Sequence, residues 1–124
     1  FTECSSLASI LIPDGVEAIG SYAFYNCTSL SEVHIPKSVK NIEAGAFELC
    51  TNIQKVTSDD IDSWCSISFE FGGNYLDQVY SANPLLHSGH LYINDEEITE
   101  VTIPNNVDTL GFNFVNCQKI KKIT

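Results

Sequence analysis

At 124 residues and 13.7 kDa the chain carries one domain's worth of material, too little for separate cofactor and substrate lobes. Its 44% hydrophobic content at a mean hydropathy of +0.02 is enough to bury a core. Sixteen acids oppose six cations, all of them lysine, for a net charge of −10; this excludes nucleic acid as a partner and argues against phosphoryl transfer, because both need clustered cations.

The first element is a strand. In Leu7-x-x-Ile10-x-Ile12 the three aliphatics point inward while Ser9 and Leu11 alternate outward, and Pro13 ends the pairing because it has no N–H to donate. Val16 and Ile19 then form a second inward pair on an extended stretch. Ser21 is expected to cap a short helical turn whose Ala23, Phe24 and Cys27 share one face. The pattern then restarts. Phe1-x-x-Cys4-x-x-Leu7-x-x-Ile10-x-Ile12-Pro13 recurs as Phe24-x-x-Cys27-x-x-Leu30-x-x-Val33-x-Ile35-Pro36, a shift of 24 − 1 = 23 residues. A third copy opens at Phe47 with Cys50, Ile53 and Val56, then loses Ile-Pro to Ser58-Asp59. The segment Ile98-x-x-Val101-x-Ile103-Pro104 restores the pattern as a fourth strand, and a fifth copy begins at Phe114 with Cys117, Ile120 and Ile123. No single copy can bury these residues alone, so consecutive copies must stack into a solenoid, with strands about 4.8 Å apart.

The unit Cys27-Thr28-Ser29-Leu30-x-x-Val33-x-Ile35-Pro36-x-x-Val39-x-x-Ile42, followed by Ala46-Phe47-x-x-Cys50, resembles the BspA-like leucine-rich repeats of bacterial and some protozoan surface proteins. The fold expected is a β-dominated α/β solenoid: a right-handed leucine-rich-repeat coil of about 23-residue rungs with parallel strands, short helical turns and one inserted hairpin flap. A single domain is expected over 1–124, as a piece of a longer repeat array. Methionine is absent even at position 1, and both ends of the chain fall inside a repeat.

From Asp59 to Pro104 is 45 residues, so the third repeat is read as enlarged by 45 − 23 = 22, with the excess in 59–97. There Ile67, Phe69 and Phe71 alternate with polar residues as a half-buried strand ought to, and Gly72-Gly73-Asn74 is expected to turn. Leu91–Ile93 and Ile98–Ile103 are expected to form a hairpin across Asn94–Glu97, although Asp95 stands where a tight Asn-Gly turn has glycine. The segment holds eight of the sixteen acids and no lysine. A hard-cation site or a docking surface for a basic partner is the functional reading of these acids, but without a calcium loop a solvated face is favoured.

Cys4, Cys27, Cys50 and Cys117 share one slot of the repeat and are expected as an interior column of reduced thiols, with Cys65 in the core of the enlarged repeat. His87-Ser-Gly-His90 has the spacing of half a metal clip and nothing completes it. No hydrolase elbow, zinc-protease motif or phosphate loop is present, and neither catalysis nor a cofactor is expected. The glycosylation pattern at Asn26-Cys27-Thr28 is read as accidental, because Cys27 falls in the core column. No apolar run reaches the ~20 residues of a membrane-spanning helix.

Solenoids offer a long, regular sheet face whose outward positions vary without disturbing the core. The outward rows are read as Leu11, His34, Thr57 and Thr102, and as Ser9, Glu32, Lys55, Glu100 and Lys122. Candidate partner-contacting residues are Ser9, Leu11, Glu32, His34, Lys55, Thr57, Glu100 and Thr102. The function expected is a non-catalytic protein-interaction module. The resemblance adds a secreted or cell-surface setting and adhesion to a protein or extracellular-matrix macromolecule. The alternative is a structural spacer that presents another domain, and end-to-end self-association through the end rungs is a further expected contact.

Overall fold

A computed structural model describes residues 1–72, 80–111 and 113–124, with backbone only at 71–72 and 80–81. Strands β1 (Ser9–Leu11), β3 (Glu32–Ile35) and β5 (Lys55–Ser58) pair in parallel, with Ser9 beside Glu32 and Glu32 beside Lys55. That offset is the 23-residue period. On the opposite side of the coil, β2 (Ala18–Ile19) and β4 (Asn41–Ile42) pair in parallel, and β6 (Ser68–Phe69) extends their sheet. The chain is a β-dominated solenoid. Between its sheets lie Leu30, Val33, Ile35, Val39, Ile42, Phe47 and Val56, each with no exposed surface.

The third side of each rung is a turn rather than the expected helical turn. Tyr22 and Asn26 take positive φ (55° and 57°), which no right-handed helix admits. Ser21 does not cap; its backbone N and hydroxyl donate to the Glu43 carboxylate at 2.9 and 2.8 Å. Abandoning the helix frees N–H groups to point at the neighbouring rung. Glu3 N donates to Tyr25 O at 2.7 Å, Phe24 N to Ala46 O at 2.8 Å and Asn26 N to Glu48 O at 2.8 Å. The residue before each ladder cysteine, namely Glu3, Asn26, Leu49 and Asn116, has φ between 57° and 61°.

Inside these turns the phenyl rings stack, Phe1 on Phe24 at 5.8 Å and Phe24 on Phe47 at 5.1 Å. All five cysteines are free. Cys27 Sγ donates to Phe1 O at 3.1 Å and Cys50 Sγ to Phe24 O at 2.9 Å, so each thiol meets the carbonyl of the preceding rung's phenylalanine. A small apolar side chain with one weak donor suits that slot. Burial pushes the Cys27 thiol up and holds Cys50 and Cys65 at about 11, far from a reactive thiolate.

The departures of the third repeat have local causes. Ser58, in the slot of Ile35, is buried and donates Oγ to Ile35 O at 3.0 Å, while Asp59 Oδ2 accepts from Lys37 N at 2.8 Å. Asp60 Oδ1 then caps α1 (Ile61–Cys65) through Ser63 N at 2.7 Å, which buries Trp64. After β6, strands β7 (Phe71–Gly72) and β8 (Tyr80–Ser81) pair antiparallel. The side chain of Phe71 and the turn expected at Gly73-Asn74 lie outside the described residues. Asn83 Oδ1 accepts from Leu85 N at 2.9 Å, opening α2 (Leu85–Ser88).

The fourth strand of the ladder is not 100–103. It is β9 (Leu91–Ile93), which pairs in parallel with β5, Thr57 beside Tyr92. Leu91-Tyr92-Ile93 satisfies the same in-out-in pattern as Ile10-Leu11-Ile12 and reaches β5 first. It turns back at Asn94 and Asp95, whose φ of 51° and 62° supply the geometry expected of a glycine, into β10 (Glu96–Glu97). The hairpin ends the parallel ladder, whose order is β1-β3-β5-β9-β10. The strands β11 (Glu100–Val101) and β12 (Lys122–Ile123) pair in parallel as a separate sheet.

Two buried asparagines join the two stacks. Asn113 Nδ2 donates to Trp64 O at 2.9 Å, Ile67 O at 3.1 Å and Cys65 O at 3.4 Å, satisfying carbonyls around the end of α1. Its own carbonyl accepts from Trp64 Nε1 at 2.7 Å and Asn83 Nδ2 at 3.3 Å.

Candidate functional site

Strand pleating sends every second residue of β1, β3, β5 and β9 outward, and parallel register aligns those residues across the ladder. One row reads Leu11, His34, Thr57 and Tyr92. Beside it Ser9, Glu32 and Lys55 align. Six of the eight residues singled out from sequence therefore share one face. Glu100 and Thr102 do not, because β9 takes the place expected for their strand; Glu100 sits in the other sheet, opposite Lys122.

Tyr92 is the member that the sequence reading missed, and the in-out-in pattern of Leu91-Tyr92-Ile93 was the available signal. Leu11 is 77% exposed, an apolar side chain left in solvent at one end of the row. Lys55 Nζ stands 5.2 Å from the Tyr92 ring centroid, 3.6 Å from Glu32 Oε1 and 3.7 Å from Asp95 Oδ1. One cation thus links strands β3 and β5 to the β9–β10 turn, though each exposed pair contributes little by itself. His34 Nδ1 meets Thr57 Oγ1 at 2.8 Å, and its Nε2 faces Asp59 Oδ1 at 3.4 Å. At the hairpin, His90 Nδ1 meets Glu97 Oε1 at 2.5 Å.

Between the ion pairs lies a shallow concavity of ≈ 340 Å³ lined by Glu32, His34, Thr57, Asp59, Asn94 and Asp95. Three carboxylates line it, of which Glu32 and Asp95 share the one Lys55 cation, so an acidic excess remains. Among the described residues no group of three or more His, Cys, Asp or Glu side chains could hold a metal ion. His87 and His90 diverge: His87 Nε2 donates to Phe47 O at 3.1 Å and burial lowers its pKa, while His90 faces Glu97. No helix of the described residues is long and apolar enough to cross a membrane.

The chain matches the model of the BspA type leucine rich repeat region, in six copies over residues 1–121. It is also similar to a crystal structure of a leucine rich cell surface protein from Faecalibacterium prausnitzii A2-165, with 38% identity and a TM-score of 0.52. That alignment covers 55% of this chain and 18% of the other, so the chain spans less than a fifth of the protein it matches. No curated protein matches it.

Proposed function

From its membership of the BspA-type leucine-rich repeat family, to which the chain belongs, we propose that this interaction module adheres to a protein or matrix macromolecule through the outward face of its strand ladder. The surface setting is carried over from the cell-surface protein it resembles, and the adhesive role is what the family resemblance implies. The observation that carries the reading is the alignment of Leu11, His34, Thr57 and Tyr92 across four parallel strands, flanked by Glu32, Asp59 and Asp95. Such a row pairs an exposed aliphatic and a half-buried aromatic with a mainly acidic border, which suits a partner presenting lysine or arginine around an apolar centre. Leu11 and Tyr92 are neither in the buried core cluster nor among the hydrophobics packed against it, so a partner can use them without disturbing the interior.

The test is attachment of protein-coated beads to a cell-deposited matrix layer under flow. Tyr92→Ala and the double substitution Glu32→Ala, Asp95→Ala are each expected to lower attachment at least several-fold, and added salt to weaken it, while the circular dichroism spectrum is unchanged. Attachment equal to the parent's in both folded variants would remove this face as the adhesive surface and leave a spacer.

A further inference from the structure

Away from the strand ladder, on the turn side of the coil, the 23-residue period stacks Thr2, Tyr25 and Glu48 at one slot and Tyr22 and Gly45 at another. The inter-rung hydrogen bonds from Glu3 N to Tyr25 O and from Asn26 N to Glu48 O hold the first set in register. Tyr22 lies against Gly45 so closely that a Cβ there would stand 2.5 Å from its ring. The Tyr22 and Tyr25 rings meet edge to face, centroids 5.7 Å apart and planes at 77°, forming two walls of a corner. Thr2, Tyr22, Tyr25 and Glu48 line a concavity of ≈ 370 Å³ at that corner. Thr2 Oγ1 donates to Tyr22 O at 3.0 Å and keeps its lone pairs as an acceptor.

The Glu48 carboxyl group is the unexplained member. In a half-buried side chain, its Oε2 is shielded from water with no hydrogen-bond partner among the described residues, and none of the ion pairs found among them involves it. Partial burial raises its pKa, as it does for a carboxylate drawn partly out of solvent. Two aromatic rings lining a concavity beside a carboxylate with no cation paired to it among the described residues are the elements that recognise organic cations: a ring attracts the charge through its quadrupole and the carboxylate balances it. An anionic chain of net charge −10 draws cations towards the corner.

We propose that Tyr22, Tyr25 and Glu48 form a binding site for an alkylammonium group, presented as a lysine side chain or as a choline-type quaternary ammonium. The site is separate from the ladder face and does not depend on the adhesive role of that face.

The experiment is titration of the ¹⁵N-labelled chain, followed by NMR at constant ionic strength, with choline, with Nα-acetyl-lysine amide, and with 3,3-dimethylbutan-1-ol, the neutral isostere of choline. Saturable shifts are expected at the amides of Tyr22, Tyr25, Gly45 and Glu48 with the two cations only. Tyr25→Leu, which removes the ring but keeps apolar bulk, and Glu48→Gln, which keeps the shape, are each expected to weaken binding at least tenfold. Stronger binding of choline would identify a quaternary headgroup, and stronger binding of the lysine amide a protein side chain; either supports the site. No saturable shift, equal shifts with the neutral isostere, or cation affinity retained in both folded variants would overturn it.

Discussion

Removing the Asn113 side chain should loosen the joint between the two stacks, and the size of the loss follows from the carbonyls it serves. In Asn113→Ala, Trp64 O keeps a donor in Ile67 N at 3.2 Å, but Cys65 O and Ile67 O lose the Asn113 amide. Each buried carbonyl left unpaired costs roughly 1–3 kcal/mol. An opening of ≈ 420 Å³ lined by Cys65, Ile67 and Asn113 lets water reach part of this cluster, which places the sum near the lower end, about 2 kcal/mol. At a urea dependence of about 1.5 kcal/mol/M the unfolding midpoint should fall by about 1.3 M. Trp64 is the sole tryptophan and donates its indole N–H to Asn113 O, so its fluorescence reports this joint directly, with far-ultraviolet circular dichroism as the global probe. Asn113→Asp should be worse at neutral pH, because a carboxylate turns acceptors towards acceptors, and should recover partly at pH 4 as the protonated oxygen regains a donor. A midpoint for Asn113→Ala within about 0.3 M of the parent, with native Trp64 emission, would refute the role given to this amide.

Three further outcomes are expected. Gly45→Ala should destabilise by about 2 kcal/mol or more, since Gly45 has φ +70° and its new Cβ would meet the Tyr22 ring; thermal unfolding checks this, and an unchanged Tm would contradict it. Burial holds the folded pKa of His87 below 6.5, so below that pH the unfolded chain binds the extra proton first. Stability should therefore be complete above pH 6.5 and be lost as pH falls from there towards the folded value, and urea midpoints for His87→Gln should lack that component. Cys50 and Cys65, with thiols at about 11, should resist a thiol-reactive dye at pH 8 in the native chain, whereas all five cysteines should react in denaturant; rapid native labelling of either would contradict their burial.

How far the sequence could be read depended on which constraint was local. The 23-residue register of β1, β3 and β5 was legible because inward aliphatics and Pro13 or Pro36 mark each strand. The position of β9 was not, since β5 and β9 are 91 − 56 = 35 residues apart and only the competition for the open edge of β5 decides between Leu91–Ile93 and 100–103. Helix α1 had a readable start in Asp60 and an apolar Ile61, Trp64 and Cys65 spacing, but five residues are too few for that spacing to stand out as a helical period. The turns misread as helical depend on hydrogen bonds between rungs, which no window of one rung contains. Of the contact face, Leu11, His34, Thr57, Ser9, Glu32 and Lys55 followed from alternation. Alternation in Leu91-Tyr92-Ile93 marked Tyr92 as outward, but its place in this row and the third dimension of the Tyr22, Tyr25 and Glu48 corner required coordinates.

The division of the strands into two ladders also sets how the coil carries mechanical load. Within the first ladder, tension along the solenoid axis is shared by rows of backbone bonds acting together. Among the described residues no strand pairing crosses to β11 and β12. There the strain passes through scattered links, Trp64 to Asn113, Asn116 Nδ2 to Leu86 O at 3.1 Å and Gln118 N to Gly89 O at 3.3 Å. Under axial tension the chain would yield at this seam first, extending by a discrete step while the preceding rungs stay wound.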